Sequence, residues 1–217
     1  LIGSLGTDGQ VLTSSGAGAG AVYEAAAAGG DLSFGGDTFG ADKTIGANDA
    51  YAFTLETSGN PAIKMDALGR VTTPLQPSFS VVGLDAPLNF TAGYQALTTE
   101  WINPQHNIGT HFDTSTGVFT APVTGTYLFW AAAHVYLYTH EGNYSLKIET
   151  SGGTYQQYHS SAVRSDFDGT TYGNSRFSFT EHMDANDTCY YRIYNVNTTG
   201  ELGASGTETQ FGGVLIG

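Results

Sequence analysis

Two short acidic segments are the first places in this chain where side chains are spaced to do chemistry. Asp166-Phe167-Asp168-Gly169 and Asp184-Ala185-Asn186-Asp187 offer oxygen ligands at intervals that suit a calcium ion. Calcium takes about six to eight oxygens, more than either segment holds, so Asp166 and Asp168, the better pair, would need further ligands. The six histidines (His106, His111, His134, His140, His159 and His182) form no i, i+4 helical pair and have no cysteine partner, which argues against zinc. Serine, histidine and aspartate are plentiful, yet no nucleophile elbow or other spaced catalytic motif is present. A glycan-cleaving enzyme needs a carboxylate pair in a cleft, and none is visible in the sequence. Enzyme is therefore the weakest reading, and no cofactor beyond that calcium ion is suggested.

The lone Cys189 cannot close an intrachain disulfide, so the chain is not a stapled secreted scaffold. It lies in a strand-like alternation, Asp187 to Tyr194, with no Lys or Arg immediately beside it. A buried structural thiol is expected there. Asn89, Asn143, Asn186 and Asn197 each open an N-x-Ser/Thr triplet, which a chain this rich in Ser and Thr produces by chance.

The elements that must position these groups are strands. Charged residues are only 12% of the 217, and glycine accounts for 30 of them. Low charge with abundant Gly, Thr, Ser and aromatics suits strands and tight turns, so the fold class is all-β. Strands are predicted near 79–84, 117–120, 126–138, 145–150, 155–161, 175–182, 188–196 and 209–216. The first 76 residues have a different texture: a Gly-rich stretch to Gly46, then short alternating runs at Tyr51, Phe53 and Leu55, at Ile63 and Met65, and at Val71. Strands that short cannot bury a face within one chain. Three chains wrapped into a stalk would solve this, each copy covering the apolar residues of the others.

The net charge of −13, with only 7 Lys plus Arg, excludes a nucleic-acid partner and an anionic membrane surface. No apolar run approaches the roughly 20 residues of a membrane helix. The chain begins without Met or a signal peptide, so its N-terminus reads as a fragment or a processed end.

The densest pattern runs from Asn107 to Phe129 and comprises Asn107, Gly109, Phe112, Asp113, Thr116, Gly117, Phe119, Pro122, Gly125, Tyr127 and Phe129. With Pro77-Ser78-Phe79-Ser80 before it and Phe211-Gly212-Gly213-Val214-Leu215-Ile216 at the C-terminus, it resembles the globular head of complement component 1q, whose jelly roll is shared with the tumour necrosis factor family. The resemblance spans Pro77 to Gly217. It implies a non-enzymatic jelly-roll β-sandwich that assembles as a homotrimer and binds other molecules through exposed loops. It also implies that both ends of the head leave from one side. Phe79, Phe112, Phe119, Tyr127, Phe129, Phe177, Phe179, Tyr191, Phe211 and Leu215 are then expected in the sandwich or between protomers.

Consecutive strands of a jelly roll run antiparallel, so alternate loops share an end. Counting back from the C-terminus puts three loops at the end far from the stalk. They carry Tyr138, His140, Glu141, Asn143 and Tyr144; then Arg164, Asp166, Asp168 and Tyr172; then Asn197, Thr199 and Glu201. Rings stack on the apolar faces of sugars while amides and carboxylates bond their hydroxyls, so this end is the predicted receptor-binding surface.

Gly6 to Ser14 is similar to the opening of many phage tail-fibre modules, and Asn60 to Val71 to the segment that precedes a fibre tip. Residues 1–76 are accordingly expected to form a fibre-like β stalk, and 77–217 the head. The combined expectation is a trimeric virion fibre or spike tip, facing outward, that binds a host surface glycan or envelope protein and attaches to other virion proteins through its N-terminal segment. The alternatives are a structural trimerisation clamp or capsid decoration protein, and a secreted lectin-like protein.

Overall fold

The computed structural model describes residues 7, 10–25, 40–91, 93–97, 101–138, 143–151, 161–162, 171–195, 199–205 and 208–217. The described residues contain no helix. Two compact units divide the chain, Leu1–Gly46 and Ala47–Gly217. In the first, β1 (Gln10–Thr13) and β2 (Val22–Ala25) form an antiparallel hairpin with Val11, Leu12 and Val22 exposed.

The second unit opens with a three-stranded sheet of β3 (Phe53–Thr57), β4 (Asn60–Met65) and β5 (Val71–Thr72). Ser58 and Gly59, at φ of 52° and 75°, supply the two left-handed residues that a tight turn between twisted strands requires. The next turn is held by Asp66, whose carboxylate accepts from the backbone N–H of Leu68 at 2.9 Å and of Arg70 at 3.0 Å, and from Arg70 Nε at 2.6 Å.

Thirteen further strands build a sandwich. They are β6 (Ser78–Leu84), β7 (Leu88–Phe90), β8 (Gly93–Ala96), β9 (Trp101–Ile108), β10 (Phe112–Asp113), β11 (Val118–Thr120) and β12 (Gly125–Leu137). After them come β13 (Asn143–Thr150), β14 (Ser161–Ala162), β15 (Thr171–Met183), β16 (Thr188–Asn195), β17 (Gly200–Leu202) and β18 (Gln210–Leu215). One sheet runs β7-β17-β12-β18-β6-β9, with β15 on the other side of β12; the other runs β10-β11-β16-β13-β14, with β8 also on β16. From β11 onward the chain passes from sheet to sheet, with β11, β13, β14 and β16 in one and β12, β15 and β18 in the other. All pairings are antiparallel. That is jelly-roll connectivity.

Alternation along β12, broken only at the buried Ala132, creates the core. Tyr127, Phe129, Ala131, Ala133, Val135 and Leu137 are buried, and they meet Phe119, Leu146, Ile148, Cys189, Tyr191 and Ile193 of the opposite sheet. Phe79, Phe112, Phe119 and Phe211 form an aromatic knot with ring centroids 4.6 to 5.9 Å apart. Phe177 and Phe179 are also buried, whereas Leu215 is only half-buried and packs on the edge of the core.

Two departures from the sequence reading concern strands. The sequence predicts no strand between Leu84 and Gly117, yet β7 to β10 lie there. β9 hides its nature because Pro104 interrupts it; as the edge strand beside β6 it tolerates a missing N–H, and the pairing slips between Ser80 and Val81. β17 sits inside what reads in sequence as one long loop. Of the strand predicted near 155–161, only Ser161 lies among the described residues.

Candidate functional site

Register fixes which strand ends lie together. Leu137 pairs with Thr171 and Gly200, Asn143 with Ala162, and Tyr144 with Asn195, so these strand ends share one end of the sandwich. Pro77 and Gly217 are at the opposite end: Pro77 C=O accepts from Leu215 N–H at 3.0 Å, and Gly217 C=O accepts from the Thr126 N–H beside Gly125, the partner of Met183.

At the far end Tyr138 leaves β12 almost half exposed (48%). Its N–H bonds Thr199 C=O at 3.1 Å, and its hydroxyl donates to Glu201 Oε2 at 2.5 Å. Acceptance by Glu201 raises the Tyr138 phenol above its ordinary value, keeping it a neutral donor. Exposed Thr199 stands next to this pair.

The outer face of β12 continues the cluster. His134 and Tyr136 stack with centroids 4.6 Å apart and planes 16° from parallel. Tyr136 Oη donates to Glu208 Oε1 at 2.9 Å, and His134 Nδ1 is 3.5 Å from the same oxygen. The other Glu208 oxygen accepts from Ser205 N–H at 3.0 Å, so one carboxylate ties Tyr136 to Ser205. Beneath, Gly200 lies so close to Tyr136 C=O and the Phe90 ring that no side chain fits. Further along the same face Leu128, Trp130 and Ala132 alternate with the core residues. The Trp130 indole lies flat on Gly212 beside a shallow groove of about 390 Å³ lined by Arg176, Ser178 and Gln210.

Of the predicted receptor residues, the structure brings Tyr138, Thr199 and Glu201 together. Tyr144 is corrected: although it begins β13 at the far end, its ring is buried and its hydroxyl lies 3.1 Å from Ser175 Oγ between the sheets, so it supports the core. Asn143 opens β13 and Tyr172 is the second residue of β15, both at this end. His140, Glu141, Arg164, Asp166, Asp168 and Asn197 lie outside the described residues, and with them the calcium pair. Among the described residues, no group of three or more His, Cys, Asp or Glu side chains converges as a metal site would require. Sequence reasoning misses His134, Tyr136 and Glu208 as a site. The signal for the first two is available, since they share the parity of Tyr138 along one strand.

Rings with half-exposed faces beside carboxylate acceptors and phenol donors suit the binding of a polyhydroxylated molecule. Cys189 offers no nucleophile here: burial pushes its thiol well above the ordinary range.

No protein-family profile matches the chain, and none of the curated proteins matches it. Among solved structures it is similar to murine APRIL at pH 5.0, at 16% identity over 65% of this chain and 99% of that one, with a TM-score of 0.47. It is similar to the Eiger TNF of S. frugiperda at 9% identity over 65% and 93%, with a TM-score of 0.48. The globular domain of zebrafish complement 1qA protein is 17% identical over 65% and 98%, with a TM-score of 0.39.

Proposed function

We propose that the chain is an outward-facing fibre or spike tip of a virion: a self-associating, homotrimeric adhesin that binds a host surface glycan through the end of the sandwich away from Pro77 and Gly217. Residues 1–76 serve as its stalk and attachment segment, and residues 77–217 as its head. The observation that carries the binding reading is the Tyr138–Glu201 pair with Thr199, exposed where the register gathers the far strand ends. Self-association is supported by the outer face of β12, where Leu128 and Trp130 are only half covered. The adhesive step needs no bond making, because three weak sites on one particle gain avidity from being linked.

The test is adsorption of the full chain to host cells and to a glycan array, with Tyr138→Ala/Glu201→Ala as the variant and particle mass followed by light scattering. Loss of adsorption at unchanged mass is expected. Full adsorption by the variant would refute the far-end site, and failure of the parent to bind any surface would favour a structural clamp.

A further inference from the structure

One face of the β3–β5 sheet is apolar from edge to edge. Residues paired across an antiparallel ladder point to the same side, and the pairs are Phe53 with Met65, Leu55 with Ile63, and Met65 with Val71. Leu55 (50%), Ile63 (42%), Met65 (42%) and Val71 (58%) are exposed, and Phe53 is half-exposed. The opposite side carries Thr54, Lys64 and Thr72, aligned in the same way. The sheet thus has the two-sided pattern of a core layer, but its apolar side meets water in the single chain. Four half-exposed apolar side chains together leave a patch on the order of a few hundred Å², the size of the largest, often functional, patch on a typical monomer.

We infer that this face is an interface between copies of the chain: in the assembled particle the β3–β5 sheets of neighbouring protomers bury Leu55, Ile63, Met65 and Val71 against one another. The inference rests on the homotrimer reading above and names the surface that closes it below the head.

Area and charge select a second copy as the occupant. A stable interface needs roughly 800 Å² from each partner. The patch offers less than that, so by itself it would not hold an unrelated protein, but it suits an interface continued elsewhere on the same molecule. Leu128 and Trp130 of the head, both half covered, supply further apolar surface on the same molecule, and Leu75, Val123 and Ile216, all more than 40% exposed, add more at the stalk end. Leu75 and Val123 line a cavity of about 420 Å³ with Thr57, Ala62 and Pro77 where the small sheet meets the head. Copies of a chain carrying −13 repel one another, yet residues 47–76 hold only Asp49, Glu56 and Asp66 against Lys64 and Arg70, a net −1. Asp66 and Arg70 pair within the chain at 2.6 Å. Like copies therefore meet little repulsion where the apolar face is presented.

Val71 and Thr72 make a matched pair for the test, being adjacent, both exposed in the single chain, and on opposite faces. Val71→Cys and Thr72→Cys are made separately in the full chain, with Ile63→Cys as a second apolar-face variant. Labelling by a water-soluble aromatic disulfide is timed while light scattering reports mass; native Cys189 is fully buried. The expected result is a three-copy mass, with the introduced thiols of Val71→Cys and Ile63→Cys reacting at least tenfold more slowly than that of Thr72→Cys. A three-copy mass with equal rates would overturn this interface and leave the trimer standing. A one-copy mass would overturn both, even with position 71 protected, because a segment of the same chain would then be the cover.

Discussion

Replacing Gly213 by alanine puts a methyl group where the core has no space for one. Gly213 is paired with Phe129 on one side and Phe79 on the other. A Cβ there would stand 2.6 and 2.7 Å from two ring carbons of Phe129 and 2.9 Å from one of Phe79. Non-bonded carbons rest about 3.5 to 4.0 Å apart, so a ring must retreat by roughly 0.8 Å or more. Neither ring has somewhere to go. Phe129 is fully buried, with the rings of Phe119, Phe179 and Tyr127 centred 5.8, 5.7 and 6.1 Å away, and Phe79 stacks 4.6 Å from Phe112. Overpacking of this kind costs about 1 to 3 kcal/mol, and rigid neighbours on both sides place Gly213→Ala in the upper half of that range. For a chain of this size each kcal/mol lowers Tm by about 2 to 4 °C, so a fall of roughly 4 to 12 °C is expected. Thermal and denaturant unfolding followed by far-ultraviolet circular dichroism at matched protein concentration measures it. Phe129→Leu, destabilising by itself, should cost less in the Gly213→Ala background because it vacates the contested space. A single variant melting within about 1 °C of the parent, or strictly additive costs, would refute the packing argument.

Two further outcomes follow from ionisable groups. The Asp113 carboxylate accepts from Ser115 Oγ at 2.7 Å and Ser115 N–H at 2.8 Å, and these bonds hold it below its ordinary 3.8. A carboxyl depressed on folding adds stability that is present above its unfolded value and lost as pH falls through the folded one. The gap between parent and Asp113→Asn in denaturant midpoint should thus be full at neutral pH and shrink below pH 3.8; a gap constant down the acid limb would exclude the bonds as its cause. Cys189, with its thiol raised by burial, should stay unlabelled by an aromatic disulfide at mildly alkaline pH until the sandwich opens. Stoichiometric labelling of the native protein within minutes would show the strand to be misplaced.

What the sequence made legible is architecture, because the residues that carry the fold do so over short distances. Asn107 bridges its own turn, donating to Phe112 C=O at 2.7 Å and accepting from Phe112 N–H at 3.2 Å, and Tyr127 donates to Val123 C=O at 2.8 Å. Such pairings fix residue type at fixed spacing, and the dense pattern from Asn107 to Phe129 records them. β7 and β17 were illegible for the opposite reason: three-residue strands hold too few positions to display a period, and their pairing with each other and with β12 is long-range. The far end was half legible. Parity along the strands predicts that Tyr138 and Glu201 share an end, but nothing local says that Glu208 will fold back onto Tyr136. Tyr144 shares the parity of Leu146 and Ile148, so its burial was readable from the alternation that its place beside a loop obscured.

That alternation ties the candidate site to the core. Along β12 the odd residues from Tyr127 to Leu137 hold the two sheets together, and the even residues from Leu128 to Tyr136 present the outer face that runs to Tyr138. One backbone therefore sets both, and a register slip of a single residue would exchange them. The close glycines guard against that slip. Gly213 admits Phe129 on the inner side, Gly212 admits Trp130 on the outer, and Gly200 admits Tyr136 C=O and the Phe90 ring at the far end. Rigidity needed for packing thus doubles as preorganisation of the half-exposed rings and carboxylates, which would lower the ordering cost of any ligand bound there.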